Sequence, residues 1–117
     1  MELTTATDRA MQIRRLYQQF ELRNHGTLWT TEEDMLGLVS DVGYLAKLVM
    51  AAEGRWDHDE ALLPTELKGK LAECLWWILV LSDRLGVDIT DAYTSTLDKI
   101  ELGLGDGLND SSVVPAS

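Results

Sequence analysis

Glu66-Leu-Lys-Gly-Lys-Leu-Ala-Glu-Cys-Leu-Trp-Trp-Ile-Leu-Val-Leu-Ser-Asp-Arg-Leu-Gly86 is the stretch that decides the fold. Leu67, Leu71, Cys74, Leu75, Ile78, Leu81 and Leu85 recur three and four residues apart and make one stripe of a helix. Trp76, Trp77, Leu79 and Val80 put apolar surface on its other sides. A helix that is apolar all round has to be covered all round. Pro64 stands at its mouth and Gly86 just past its end, which is the usual asymmetry of helix termini. The helix is therefore predicted over Thr65 to Leu85.

The segment before it has the same period. Met35, Leu38, Val39, Val42, Leu45, Ala46 and Val49 form a continuous apolar stripe, and Thr30 followed by Glu33 is a capping-box pattern. A second helix is predicted over Thr31 to Glu53, closed by Gly54. Gly37 and Gly43 lie inside it, each costing about 1 kcal/mol against alanine, and suggest close approach of a neighbouring helix. A first helix over Thr5 to Arg23 carries Met11, Ile13, Leu16, Tyr17 and Phe20 near one face, with Gly26 as its terminator. A fourth runs from Ile89 to Leu102 with Asp88 as N-cap. The fold expected is all-α, a bundle of about four helices in one domain over 1–104. Its second and third helices form the core and the oligomer interface. The Gly-, Ser- and Asp-rich stretch 105–117 is expected to be a flexible tail.

Composition narrows the function. The net charge is −10, so most of the surface repels nucleic-acid polymers, and no such partner is expected. The longest purely apolar run, Cys74 to Leu81, is far shorter than a membrane span needs, and Met1 to Asp8 is polar and acidic, unlike a signal peptide. With a single cysteine, Cys74, there is no intramolecular disulfide, and a reducing, cytoplasmic setting is expected. Cys74 lies on the apolar stripe and reads as inert core. His25 and His58 lie far apart and far from Cys74, which is not zinc-site spacing, and no Gly-rich phosphate loop occurs. The all-round apolar third helix calls for a partner subunit, and a homodimer is expected.

Acids remain. Asp41 lies among Leu38, Val39, Val42 and Leu45, and Glu73 among Leu71, Ala72, Cys74 and Leu75. A carboxylate beside a core stripe is costly unless it is paired or bound to a cation. Two packed helices, each giving one acid at the same level, can begin a site for a hard cation. Each acid alone reads equally well as a boundary residue reaching solvent.

In this order and spacing the two helices resemble a known family. Trp29-Thr-Thr-Glu-Glu-Asp-Met-Leu-Gly-Leu-Val-Ser-Asp-Val-Gly-Tyr-Leu-Ala-Lys47 is similar to the first long helix of the MazG-like nucleotide pyrophosphohydrolases. Glu66 to Asp88 is similar to their second. The resemblance covers Leu28 to about Glu101. It implies an oligomeric all-α protein that cleaves a nucleoside triphosphate to a monophosphate and pyrophosphate. It also implies Mg²⁺ or Mn²⁺ held by an EExxE motif on one helix and an ExxD motif on the next. Metals so held bridge phosphate oxygens and activate the attacking water.

Carried over by position, EExxE falls on Ser40, Asp41 and Tyr44, and ExxD on Lys70 and Glu73. The resemblance makes Asp41 and Glu73 the catalytic and metal-ligating residues, and Trp29, Lys70 and Lys99 the substrate-contacting ones. Gly103 stands where the family often has asparagine. Two carboxylates and a lysine replace an all-acid set, so Mg²⁺ is expected to bind weakly if at all. Asp34 and Glu66, each seven residues before its counterpart, share its helix face but lie about 10.5 Å away, too far for one ion's shell. Three readings follow: a metal-dependent pyrophosphohydrolase of weak or altered activity, a catalytically inactive oligomeric module binding a nucleotide or protein, and a purely structural interaction domain.

Overall fold

Thr30 starts the central hairpin. Its hydroxyl accepts the Glu33 N–H at 3.1 Å, and the Glu33 carboxylate accepts the Thr30 N–H at 3.0 Å, so the predicted capping box is formed. The computed structural model describes residues 2–109 and shows four helices with no strand among them. They are α1 (Leu3–His25), α2 (Thr31–Ala52), α3 (Leu63–Arg84) and α4 (Ile89–Asn109). Gly26, Gly54 and Gly86 follow α1, α2 and α3 with φ of 72°, 76° and 69°, the left-handed conformation that a side chain disfavours. All-α architecture with α2 and α3 as the principal pair is thus as expected.

The chain divides into two compact units, Met1–Gly86 and Val87–Ser117. In the first, α2 and α3 pack antiparallel and α1 lies against α3. Leu48 is 1% and Val80 0% exposed, and Ala10, Cys74 and Leu79 complete a thin buried apolar set. Gly37 is where the hairpin closes most tightly. A Cβ there would stand 2.5 Å from the Trp77 ring, so only glycine admits the indole. Gly43 has open space around it, and the close neighbour expected there is not found among the described residues.

The apolar stripe of α1 is only partly covered by α3, Tyr17 meeting Trp76 at 5.6 Å between ring centroids. Ile13, Leu16, Tyr17 and Phe20 are exposed, while Ala10 and Arg14 are buried. α3 is likewise uncovered along Leu71, Leu75 and Ile78. α2 is the one helix among the described residues long and apolar enough to cross a membrane by length and composition. A search for uninterrupted apolar runs misses it, because Asp41 and Lys47 break the run.

The second unit differs from expectation in length. Asp88 caps α4 as predicted, accepting the Asp91 N–H at 3.1 Å. The helix then continues past Leu102 to Asn109. Leu104 and Leu108 prolong the stripe of Tyr93, Leu97 and Ile100 at helical spacing, and the intervening glycines weaken the helix without stopping it. Residues 105–109 of the expected tail are therefore helical, and 110–117 lie outside the described residues.

Candidate functional site

Asp41 and Glu73 come together, as their positions on paired helices require, and Lys70 joins them. The Lys70 ammonium donates to Asp41 Oδ1 at 3.2 Å and to Glu73 Oε2 at 2.7 Å. It also stands 5.1 Å from the Tyr44 ring centroid, within cation–π range. The Glu73 hydrogen bond, followed by that from Asp41, raises the Lys70 pKa above its ordinary value against the opposing effect of burial. Lys70 is a cation at any physiological pH. Burial, with the Asp41 charge adding to it, raises the Cys74 thiol pKa, so this cysteine is a poor nucleophile.

The second oxygen of Asp41 is also taken. Trp77 Nε1 donates to Asp41 Oδ2 at 2.7 Å. Trp77 in turn stacks on Trp29, with centroids 5.9 Å apart and planes 17° apart, and meets Trp76 edge-on at 4.8 Å. Trp29 therefore reaches the acid indirectly, through Trp77. Ser40 lies beside Asp41, Gly37 and Trp77 at a shallow surface depression. Lys99 is exposed on α4, in the second unit.

These residues do not fit a hard divalent cation as they stand. Such an ion asks for several free carboxylate oxygens. Here Asp41 has both oxygens engaged, and the ammonium lies between the two acids, where its charge repels a second cation. Among the described residues no group of three or more His, Cys, Asp or Glu side chains is placed to hold a metal.

Behind the acids lies a groove of about 590 Å³ between α1 and α3. Tyr17, Phe20, Trp29, Trp76 and Trp77 wall it, with Arg14 also lining it and Asp41 and Glu73 among its residues. Arg14 Nε and Nη2 and Trp76 Nε1 are buried N–H donors without a protein acceptor. A groove with aromatic walls suits a flat ligand that stacks against them.

Two further clusters escape a sequence reading. Asp34 is completely buried. Arg84 donates to its Oδ2 at 2.6 Å and to the Trp29 carbonyl at 2.9 Å, while Arg14 stands 3.4 Å from its Oδ1. Arg14 is also 3.7 Å from Glu21, whose carboxylate accepts the Trp29 N–H. This knot ties the α1–α2 connection to the end of α3. Elsewhere, Glu66 Oε2 pairs with His58 Nε2 at 2.6 Å and accepts the Tyr44 hydroxyl at 3.1 Å. His58 Nδ1 lies 3.1 Å from the Asp59 carbonyl, so a protonated ring satisfies both acceptors. The Asp59 carbonyl, followed by Glu66, raises the His58 pKa against desolvation. The available signal for Asp34 was its place on the Asp41 face, two turns earlier; nothing in the sequence named Arg14 or Arg84 as its partners.

Comparison with protein-family models, with curated proteins and with solved structures gave no match, so the MazG-like resemblance rests on the motifs of α2 and α3 alone.

Proposed function

We propose that this chain is a catalytically silent MazG-like oligomeric module that binds a nucleotide through its base, with the Lys70 ammonium standing in place of the family's divalent cation. The observation that carries this reading is the Lys70 bridge between Asp41 and Glu73. It neutralises one of the two carboxylate charges and engages the oxygens a metal would use. The aromatic groove supports the nucleotide half of the reading. Its walls offer stacking surface for the flat face that a base presents.

A second reading, a weak Mg²⁺- or Mn²⁺-dependent nucleoside triphosphate pyrophosphohydrolase, draws on the convergence of Asp41 and Glu73 at one point between α2 and α3. Pyrophosphate release from a nucleotide panel with either metal separates the two. The module predicts no turnover, but a thermal shift with nucleosides and nucleotides that Trp76→Ala removes. Turnover abolished by Asp41→Asn and by Glu73→Gln overturns it in favour of the hydrolase. Absence of both turnover and thermal shift leaves only a structural module.

A further inference from the structure

The aromatic groove carries charge that stacking alone does not use. Glu21, Asp41 and Glu73 are among its lining residues, against a single lining arginine, Arg14. Arg14 is already faced by acids, with Asp34 Oδ1 at 3.4 Å and Glu21 Oε1 at 3.7 Å. Asp41 is committed as well, to Lys70 through Oδ1 and to Trp77 through Oδ2. Glu73 is not. It gives Lys70 only Oε2, and its side chain stays 55% exposed. The chain as a whole carries −10, so no surplus of positive charge offsets these acids.

The walls favour the same sign of ligand. The face of an aromatic ring is the negative part of its quadrupole, and a cation lying over it is attracted, most strongly where water is excluded. Tyr17 and Trp76 have centroids 5.6 Å apart and planes at 57°, and Trp76 meets Trp77 at 4.8 Å and 65°. Rings inclined this steeply to their neighbours enclose a corner. A flat group that lies on one of them brings its edge towards the next.

We infer that the groove selects a base that is itself positively charged, an N-alkylated purine carried as a nucleoside, with Glu73 as the carboxylate that answers its charge. The inference deepens the proposed function and rests on its base-binding reading.

Three features fix this class of occupant. Aromatic faces and an exposed carboxylate together reward a delocalised cation, whereas a neutral base gains from the faces alone. The volume of about 590 Å³ lies in the range of about 300–1,000 Å³ that holds whole small molecules, more room than a bare methylated ammonium fills. Phosphates bring charge of the sign the lining already holds, and in metal-free solution they weaken the attraction. A cationic nucleoside therefore suits the groove better than its own triphosphate does.

The test is calorimetric titration of the full chain in metal-free, mildly acidic buffer, where N7-methylguanosine is a cation. N7-methylguanosine is expected to bind about tenfold more tightly than guanosine, and N1-methyladenosine more tightly than adenosine by a similar factor. Glu73→Gln is expected to pull both ratios towards unity. Phe20→Leu, on a wall that is 61% exposed and so away from the buried core, is expected to weaken all four nucleosides and places their binding in the groove. Equal affinities for the methylated and unmethylated nucleosides overturn charge selection and leave base binding standing. Ratios that survive Glu73→Gln overturn the role of that carboxylate. Tetramethylammonium binding as tightly as N7-methylguanosine makes the groove a cage for ammonium ions and overturns the base. N7-methylguanosine triphosphate binding more tightly than the nucleoside overturns the nucleoside. Absence of heat with every probe overturns this inference and the base-binding reading together.

Discussion

Asp34 and Asp41 occupy the same face of α2 two turns apart, and α3 answers each with a cation, yet the two pairs are built differently. Asp34 is fully buried against Arg84 at 2.6 Å, with Arg14 completing the knot from α1. Asp41 keeps 22% of its side chain exposed and meets Lys70 at 3.2 Å. A guanidinium is planar, always charged and weakly hydrated, so it suits burial. An ammonium is a compact point charge on a flexible stem. The deep pair therefore behaves as a clamp between three elements, and the shallow one as a seat whose occupant can be exchanged.

Breaking the clamp carries the largest expected effect. Asp34→Asn removes the fully buried charge that holds Arg14 and Arg84, leaving buried Arg14 with only the longer 3.7 Å approach to Glu21, and is expected to cost about 3 kcal/mol. Urea unfolding followed by circular dichroism reads it as a fall in the midpoint. Lys70→Gln, measured alongside, is expected to cost less than about 1 kcal/mol, as partly exposed pairs do. Equal losses from the two substitutions would erase the distinction between clamp and seat.

Gly37 stands between the two pairs and comes next in size. Gly37→Ala drives a methyl group into the Trp77 ring at 2.5 Å, and that ring is also held by Trp29 and by Asp41. Overpacking of this kind is expected to cost about 1–3 kcal/mol. Because the indole also holds Asp41, the change is expected to alter tryptophan fluorescence in the folded state. A substitution without effect on stability would mean that α2 and α3 are further apart than the ring packing requires.

The sequence made the two pairs unequally legible. Asp41, Glu73 and Lys70 are close in register on two helices that periodicity alone identifies, so their meeting follows from helix pairing. The clamp does not follow. Asp34 sits in the first turn of α2, where an acid is ordinarily explained by the helix dipole, and Arg14 and Arg84 come from distant helices whose rotation periodicity does not fix. Periodicity also leaves open which apolar face is covered. In α1 the stripe of Ile13, Leu16, Tyr17 and Phe20 reads as core, yet the structure turns Arg14 inward and leaves the stripe exposed. Trp77 as the donor to Asp41 was hidden for a related reason. A tryptophan on an apolar helix reads as packing, and its N–H acquires a role only when Gly37 admits the ring.

The seat can be sharpened by changing its occupant. Lys70→Glu replaces the bridging cation with a third carboxylate beside Asp41 and Glu73, so the metal-free protein is expected to lose a little stability through repulsion. Mn²⁺ affinity, read by titration calorimetry or by paramagnetic resonance, is expected to rise about tenfold or more over the wild type, since divalent affinity follows the number of charged ligands. No gain would place the family's metal motif elsewhere on the chain. The ammonium itself titrates far from this range. Its raised pKa means that its stabilising contribution is complete below 10.5 and disappears only as the pH climbs through the higher folded value.

A third pair extends the comparison and gives the smallest effect. Glu66 lies one heptad before Glu73 on α3 and takes its cation from His58 in the α2–α3 connection. From one end of the hairpin to the other the cations are Arg84, Lys70 and His58, and their acids are 0%, 22% and 34% exposed. The group least able to lose its proton holds the deepest acid, while Lys70 also holds Glu73, the most exposed acid of the set at 55%. The His58 pKa is raised by the Asp59 carbonyl and by Glu66, so the stabilisation it supplies is complete below 6.5 and is lost as pH rises through the folded value. Stability of the wild type relative to His58→Gln is therefore expected to decline from about pH 6.5 upward, with Tyr44 still donating to Glu66 on both sides of the transition. A difference that stays flat across this range would detach His58 from Glu66.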